Sequence, residues 1–343
     1  MIYLTYLSKA KPSNDNKEFA KNQDLARDKR VTKKIASIDN IRVSELCSIS
    51  IERFKYELDN AIHLFPLDRD MRNEYTIFNI PKRSGGVREI WAPSETLKIQ
   101  SRCLLDMIVR DLQFLPHNAA HGFTKYRNTK TCMETHKRNL SRWFLKLDMS
   151  NFFPSWDSET LIDKILCVHP FELIGRDYLQ KLVHLASVDG HLVQGNPLSP
   201  MLTNIAMVSV DDQIDRYCRR NGWTYTRYAD DMQISSKYKE GLSETATVAE
   251  SIQNLLPDIL RINCDKTRFG SFAGRNWNLG LMFNNQYEIT VGHARKHWVK
   301  VGLHKLEVGE EVDVAELGGV LAYCRYIEPE YFNPYWQRFL DLR

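Results

Sequence analysis

The hydrophobic pattern changes period several times along the 343 residues, and those changes order the elements. Up to about residue 60 the chain is polar, free of glycine, and has Pro12 as its one proline, which predicts a helical N-terminal region. Residues 75–80 take up the two-residue rhythm of a strand. Ser84-Gly85-Gly86 supplies a turn, and residues 87–91 return as the second arm of a hairpin. Residues 96–115 place Leu97, Ile99, Leu104, Leu105, Ile108, Leu112 and Leu115 at helical spacing. An apolar strand at 143–147 ends on Asp148. Residues 157–166 and 178–186 read as helices. Residues 198–219 read as one long helix opened by Ser199-Pro200, where serine can cap and proline is tolerated. Short strands at 224–228 and 232–235 flank Ala229-Asp230-Asp231. A helix at 246–256, a strand at 277–283, a basic helix at 292–306 and a short helical tail follow. With no alternating βαβ run, this order predicts an α+β fold without internal repeats.

Composition narrows the class. With 43% hydrophobic and 26% charged residues, and 15 Tyr, 15 Phe and 7 Trp, the chain can build a sizeable core, which excludes a disordered, collagenous or disulfide-scaffold protein. At about 150 residues per domain its length predicts two domains or one multi-lobed fold. No stretch approaches the roughly 18 apolar residues of a membrane span. The opening Met1 to Leu7 is too short and lacks the basic lead-in of a signal peptide, so a cytoplasmic location is expected. The 7 cysteines contain no C-x-x-C pair to hold zinc or run redox chemistry, and their odd count argues against a disulfide framework. The net charge of +4 says little, whereas its distribution says more. Residues 27–34 (RDKRVTKK) and 292–305 (GHARKHWVKVGLHK) are basic runs that suit a phosphate backbone, although a solvated helix face would carry the same charges.

The chemistry concentrates in carboxylates. Asp148 ends a strand, and Asp230 and Asp231 sit at a hairpin tip, where side chains are held firmly yet within reach. Neighbours on a strand point to opposite faces, so one of the pair shares a face with Asp148, and Asp230 is the favoured one, with Asp231 second. Converging carboxylates repel unless a cation joins them. Oxygen-only ligation suits Mg²⁺ or Mn²⁺, and two such ions about 3.5–4 Å apart can activate a hydroxyl and steady a leaving pyrophosphate. Turns favour aspartate for structural reasons as well. The second Asp-Asp, Asp211-Asp212 on a predicted helix, reads as surface.

Other blocks accompany these acids in chain order. They are Ile80-Pro81-Lys82 with Gly85-Gly86-Val87-Arg88, then Ala120-His121-Gly122-Phe123, then LDMSNFFPSW around Asp148. After them come Gln194-Gly195-Asn196-Pro197-Leu198-Ser199-Pro200 through Asn204, Tyr228-Ala229-Asp230-Asp231, and Lys266 in CDKTRF. Set in this order they resemble a bacterial reverse transcriptase of the retron or defence-associated (DRT, unknown-group) type. The resemblance implies a right-hand polymerase fold. Residues 1–60 would form a helical N-terminal region, 61–141 the fingers, 142–285 the palm with a fingers insertion at about 157–190, and 286–343 a short helical thumb. It implies an RNA-directed DNA polymerase, a nucleotidyltransferase, with Asp148, Asp230 and Asp231 on Mg²⁺ (or Mn²⁺). Lys266 would protonate or bind the departing pyrophosphate. Lys82 and Arg88 would neutralise triphosphate oxygens. Gln194 and Gly195 would meet the incoming nucleotide beside Tyr228, and Phe153 would bar a ribose 2′-hydroxyl and so select dNTPs. His293, Lys296, Lys300 and His304 fall at three- and four-residue spacing on one helix face, with Trp298 and Val301 elsewhere. By resemblance this is the thumb, and Arg295, Lys296, Lys300 and His304 would lie along an RNA/DNA duplex. The expected tail carries no RNase H, endonuclease or zinc-knuckle domain.

Within the family, retron enzymes carry Asn-Ala-x-x-His before the first catalytic block. Here Cys132-Met133-Glu134-Thr135-His136 keeps the histidine alone, and Asn278-Leu279-Gly280 stands where Val-Thr-Gly is usual. The run at 277–293 looks more like the antiphage defence-associated group. The favoured expectation is therefore a defence enzyme copying a noncoding RNA template. A retron enzyme making RNA-linked single-stranded DNA is the alternative, and an RNA-binding scaffold with dispensable chemistry, or untemplated or protein-primed synthesis, are further ones. The reading leaves room for an effector, a second polymerase subunit or a homo-oligomer, and involves no membrane.

Overall fold

The computed structural model describes residues 48–81, 85–273, 277 and 280–342. The chain divides into two compact units, Met1–Phe54 and Lys55–Arg343. Of the first, residues 48–54 are described and are helical. Most of the expected helical region 1–60 and the basic run 27–34 lie outside the described residues, as do Lys82, Asn278 and Leu279.

In the second unit, residues 55–64 are helical and an antiparallel hairpin follows, β1 (Tyr75–Pro81) and β2 (Val87–Pro93), with Ile80 opposite Arg88. Gly85 and Gly86 both take positive φ at its tip, which glycine allows without steric cost. Helices α1 (Glu95–Arg110) and α2 (Thr129–Arg138) lead into β3 (Trp143–Asp148). Then come α3 (Ser158–Leu166), α4 (Arg176–His184), a two-residue pair β4 (Ser187–Val188) and β5 (His191–Leu192), and α5 (Ser199–Ala206) and α6 (Val208–Arg220). The chain continues through β6 (Thr224–Tyr228), β7 (Asp231–Ser236), α7 (Thr245–Gln253), β8 (Arg268–Ser271), β9 (Met282–Phe283), β10 (Ile289–Thr290), α8 (His293–Glu307), α9 (Val314–Ile327) and α10 (Pro329–Asp341).

The centre is an antiparallel four-stranded sheet in the order β6-β7-β3-β8. Helix α2 lies on one face, where His136 meets Thr226 and Ser235, and α6 lies on the other, where Asp211 meets Tyr225. Covered on both faces, β3 and β7 bury Phe144, Leu145, Leu147, Met232 and Ile234 completely, which is why they read as apolar runs rather than clean alternations. A second cluster joins the sheet to the C-terminal helices, with Trp277 stacked on Phe144 and Val299, Leu303, Leu317, Leu321 and Phe332 around it. No helix among the described residues is long and apolar enough to cross a membrane.

Three expected elements differ. The long helix at 198–219 is two helices meeting at Met207, whose ψ of −5° departs from the regular helical value near −42°. Helix α5 is buried nearly all round, whereas α6 is one-sided, and the bend lays α6 along the sheet. Ser199 does not cap α5. Leu198 holds that place, and the Ser199 hydroxyl donates instead to the Val193 carbonyl at 2.7 Å. Helix α1 stops at Arg110, short of Leu115, because Gln113 turns to φ 52°. The apolar period runs on since the loop still buries Leu112 and Phe114. In place of a strand at 277–283, Gly280 (φ 96°) folds the chain back so that Trp277 N–H donates to the Leu281 carbonyl, and Met282–Phe283 alone pairs with β10.

Candidate active site

Register brings the acids together. Asp148 lies directly opposite Asp231 in the β3–β7 pair, and directly opposed residues project from the same face. The face expected for Asp230 therefore belongs to Asp231. Asp230 sits in the two-residue loop between Tyr228 and Asp231, where strand alternation no longer applies. Ala229, first in that loop, has φ 56°, as mirror-image hairpin turns require and as an alanine adopts only at a cost. The Met149 N–H donates to the Asp230 carbonyl at 3.1 Å, tying the loop to the chain just past Asp148. Burial raises the Asp230 carboxyl above its ordinary range, and the charges of Asp231 and Asp148 push the same way, so all three acids lie within electrostatic reach.

Two lysines answer them. Lys266 Nζ is 2.7 Å from Asp148 Oδ1, and Lys146 Nζ is 2.7 Å from Asp231 Oδ2. The turn Cys264–Lys266 is fixed against the end of β3 by the Asn263 N–H donating to the Asp148 carbonyl at 2.7 Å. Lys146 escaped the sequence reading, although its position two residues before Asp148 on one strand already placed both on one face. Crowded carboxylates are relieved by a cation, and oxygen donors suit Mg²⁺ or Mn²⁺. In kind the residues fit such an ion. They do not stand as a ready cage: among the described residues no three His, Cys, Asp or Glu side chains group as ligands, since two of the acids are turned onto lysines.

Aromatic rings flank the acids. Phe123 packs against Phe153 and Tyr228, each with ring centroids 6.5 Å apart, and Phe153 also meets Phe152 at 5.4 Å. Phe123, 53% exposed, is a second residue the sequence reading left without a role. Gly195 has φ 136°, and a Cβ there would stand 2.2 Å from the Trp91 carbonyl oxygen, so glycine is obligatory. With the Trp91 N–H donating to the Gln194 carbonyl at 2.8 Å, the Gln194-Gly195 segment is bound to β2, the strand carrying the exposed Arg88.

The basic helix α8 is divided. Lys296 Nζ bonds Glu328 Oε2 at 2.6 Å and lies 4.1 Å from the Tyr331 ring centroid. The other oxygen of Glu328 accepts from the Thr290 hydroxyl and the Val291 N–H. Arg295 covers the Tyr323 ring. Lys300 is exposed beside Tyr331 and Tyr335, whose hydroxyls raise its pKa, and His304 is exposed 3.9 Å from Glu307. Trp298 (42% exposed) and Val301 (38%) face outward, because Val299 and Leu303 take the inward positions.

One site differs in burial from its surface reading, and a second, the Cys132–His136 block, is placed by its burial. Asp211 is fully buried against Arg227, while Asp212 does pair at the surface with Arg216. His136 is fully buried, its ring nitrogens at 2.6 Å from Ser235 Oγ and 2.8 Å from Thr226 Oγ1, and Cys132 packs beside it on Thr226. That block therefore belongs to the core.

A mixed fold with three acids at one end of an antiparallel sheet, a glycine-tipped hairpin before it and helices after it defines a right-hand polymerase. The chain belongs to the reverse transcriptase family: residues 80–301 match the model described as Reverse transcriptase (RNA-dependent DNA polymerase). It is similar to the Retron Mx65 reverse transcriptase of Myxococcus xanthus, 31% identical over 281 residues, covering 76% of this chain and 63% of that protein. It is similar also to the Retron Ec83 and Retron Ec73 reverse transcriptases of Escherichia coli. Each of these is 27% identical, covering 76% and 75% of this chain and 85% and 84% of the relative. The chain thus spans less than two thirds of the Myxococcus relative and most of the two shorter ones.

Proposed function

We propose that this chain is a retron-type RNA-directed DNA polymerase that extends a primer with dNTPs on a noncoding RNA template. In this reading residues 61–141 serve as fingers, 142–285 as palm with an insertion at about 157–190, and 286–343 as thumb. The observation that carries it is the convergence of Asp148, Asp230 and Asp231, with Lys266 on the first, inside the stretch that matches the family model.

Asp148, Asp230 and Asp231 would hold Mg²⁺, and bound divalent ions supply activation of the primer hydroxyl and charge relief on the leaving pyrophosphate. Lys266 is placed to give a proton to that pyrophosphate or to bind it. Arg88 meets triphosphate oxygens, a role shared with Lys82 of the same sequence block. The linked Gln194-Gly195 segment and Tyr228 line the nucleotide. Phe153, braced by Phe123 and Phe152, closes the space a 2′-hydroxyl needs. On the thumb, exposed Lys300, His304 and Trp298 face the duplex, while Arg295 and Lys296 stiffen the helix that presents them.

The test is dNTP incorporation on a primed RNA. Asp230→Asn lowers it by at least about two orders of magnitude, the scale seen when a charge-stabilising group is lost. Retained incorporation refutes the assignment. An antiphage role is the second reading, favoured by the run at 277–293. It predicts that the intact gene, and not the Asp230→Asn form, lowers phage plating, whereas a scaffold would protect in both forms. Sequencing the nucleic acid that copurifies with the protein identifies the template.

A further inference from the structure

Beneath the loop that carries Asp230 lies a buried polar assembly that the reaction chemistry does not use. Arg227, 1% exposed, grips Asp211 with two parallel bonds, Nε to Oδ1 at 2.8 Å and one terminal nitrogen to Oδ2 at 2.7 Å. The same nitrogen donates to Asn204 Oδ1 at 3.1 Å, and the Tyr225 hydroxyl donates to Asp211 Oδ1 at 2.9 Å. The other terminal nitrogen donates to the Ala229 carbonyl at 3.1 Å. Asn204 in turn donates to the Gly122 carbonyl at 3.0 Å, and Gly122 abuts the Ala229 amide. The Arg227 backbone is held too: its N–H donates to the Ala119 carbonyl and its carbonyl accepts from the His121 N–H, both at 2.7 Å.

A buried ion pair is a weak source of stability, because desolvating both charges offsets most of their attraction, and apolar residues of similar volume commonly do as well. What apolar residues cannot do is hold a carbonyl. The Ala229 carbonyl belongs to the peptide between the left-handed residue and Asp230, and a strained backbone persists only where its surroundings over-determine it.

We propose that Arg227, locked by Asp211, is a positioning residue that sets the aim of the Asp230 carboxylate through the Ala229 carbonyl. The proposal rests on the reading of Asp230 as a metal ligand. Asp211, Asn204 and Gly122 form its outer frame, which ties helices α5 and α6 and the 119–122 segment to a single peptide unit.

The test measures Mn²⁺ binding by electron paramagnetic resonance with no nucleotide present, alongside steady-state kinetics and thermal melting. Arg227→Lys keeps the charge and loses the fork. It weakens Mn²⁺ binding and lowers kcat by about tenfold or more, as when outer partners of metal ligands are removed, with the dNTP KM within about twofold of the parent. A purely structural role would lower the melting temperature and leave Mn²⁺ binding and kcat of the folded protein as they were, and that result overturns the proposal. Should Arg227→Lys fail to fold, Tyr225→Phe and Asn204→Ala, which leave the Asp211–Arg227 pair whole, carry the test. Unchanged Mn²⁺ binding in both overturns the proposal equally. Asp230→Asn is the reference: if it too binds Mn²⁺ normally, the metal assignment itself fails, whereas loss in Asp230→Asn with parental binding in Arg227→Lys fails the positioning role alone.

Discussion

Adding one methyl group at Gly122 tests how tightly the acid-bearing loop is held. A Cβ there would stand 2.6 Å from the Ala229 nitrogen and 3.2 and 3.3 Å from the Tyr228 carbonyl carbon and Cα. All three are backbone atoms, so no side chain can swing aside. Gly122 does not have positive φ, so alanine fits its backbone and the effect is steric alone. Ordinary contact begins near 3.4 Å, and the difference from 2.6 Å forces the loop or the 119–122 segment to move by about 0.8 Å. Displacements near 1 Å at a reacting centre cost about 10²-fold in rate, and overpacking costs about 1–3 kcal/mol. Gly122→Ala therefore lowers kcat for dNTP incorporation by about two orders of magnitude, with a melting temperature only a few degrees below the parent. Gly319→Ala is the control. That glycine lies inside α9 with nothing within 4 Å of its added methyl, and the change is expected to stabilise by about 0.5–1 kcal/mol through helix propensity without touching kcat. A Gly122→Ala enzyme with kcat within about twofold of the parent would show that the loop is not confined as described.

Other outcomes follow from the same geometry. Phe153→Ala admits ribonucleotides, and NTP incorporation at the parental level would rule out a gate there. Burial, reinforced by His121, holds the His136 imidazole down at about 3, against 6.5 when exposed. The unfolded chain then takes up a proton that the folded one refuses, so this contribution is whole above pH 6.5 and drains away as pH falls toward 3, at up to about 1.4 kcal/mol per unit. Urea titrations across that range should show a shallower slope for His136→Gln, and an unchanged slope refutes the buried neutral histidine. Lys296→Met lowers thermal stability through Glu328 with little change in duplex affinity, whereas Trp298→Ala weakens binding of a primed duplex with little change in melting. The reverse pattern in a binding titration would assign the two faces of α8 the other way.

The strand ending on Asp148, the hairpin around Asp230 and Asp231, and the helices flanking them were legible because each rests on local periodicity and turn chemistry. Less legible was whatever depends on who meets whom. Asp211 looked like a surface residue on a polar helix, and only the bend at Met207 and the approach of β6 give it Arg227 as a buried partner. Lys296 looked like one of a row of exposed cations until Glu328, 32 residues on, claimed it. The order of Asp230 and Asp231 was misjudged for a different reason. Alternation governs strands, and Asp230 lies just off the strand end. Lys146 was within reach of the same rule that placed Asp148, since both stand on one face of β3.

The pairing of two acids with Lys146 and Lys266 bears on how the fold stands when no cation is bound. Mutual repulsion among the three acids is partly answered from within the chain, so assembly of the fold does not wait for a divalent cation. On the proposed reading, a chelator would stop dNTP incorporation without unfolding the chain, and returning the ions would restore it with no renewed folding. Were a divalent cation to bind there, Asp148, Asp230 and Asp231 would be the residues to hold it, and Lys146 and Lys266 would have to release two of them.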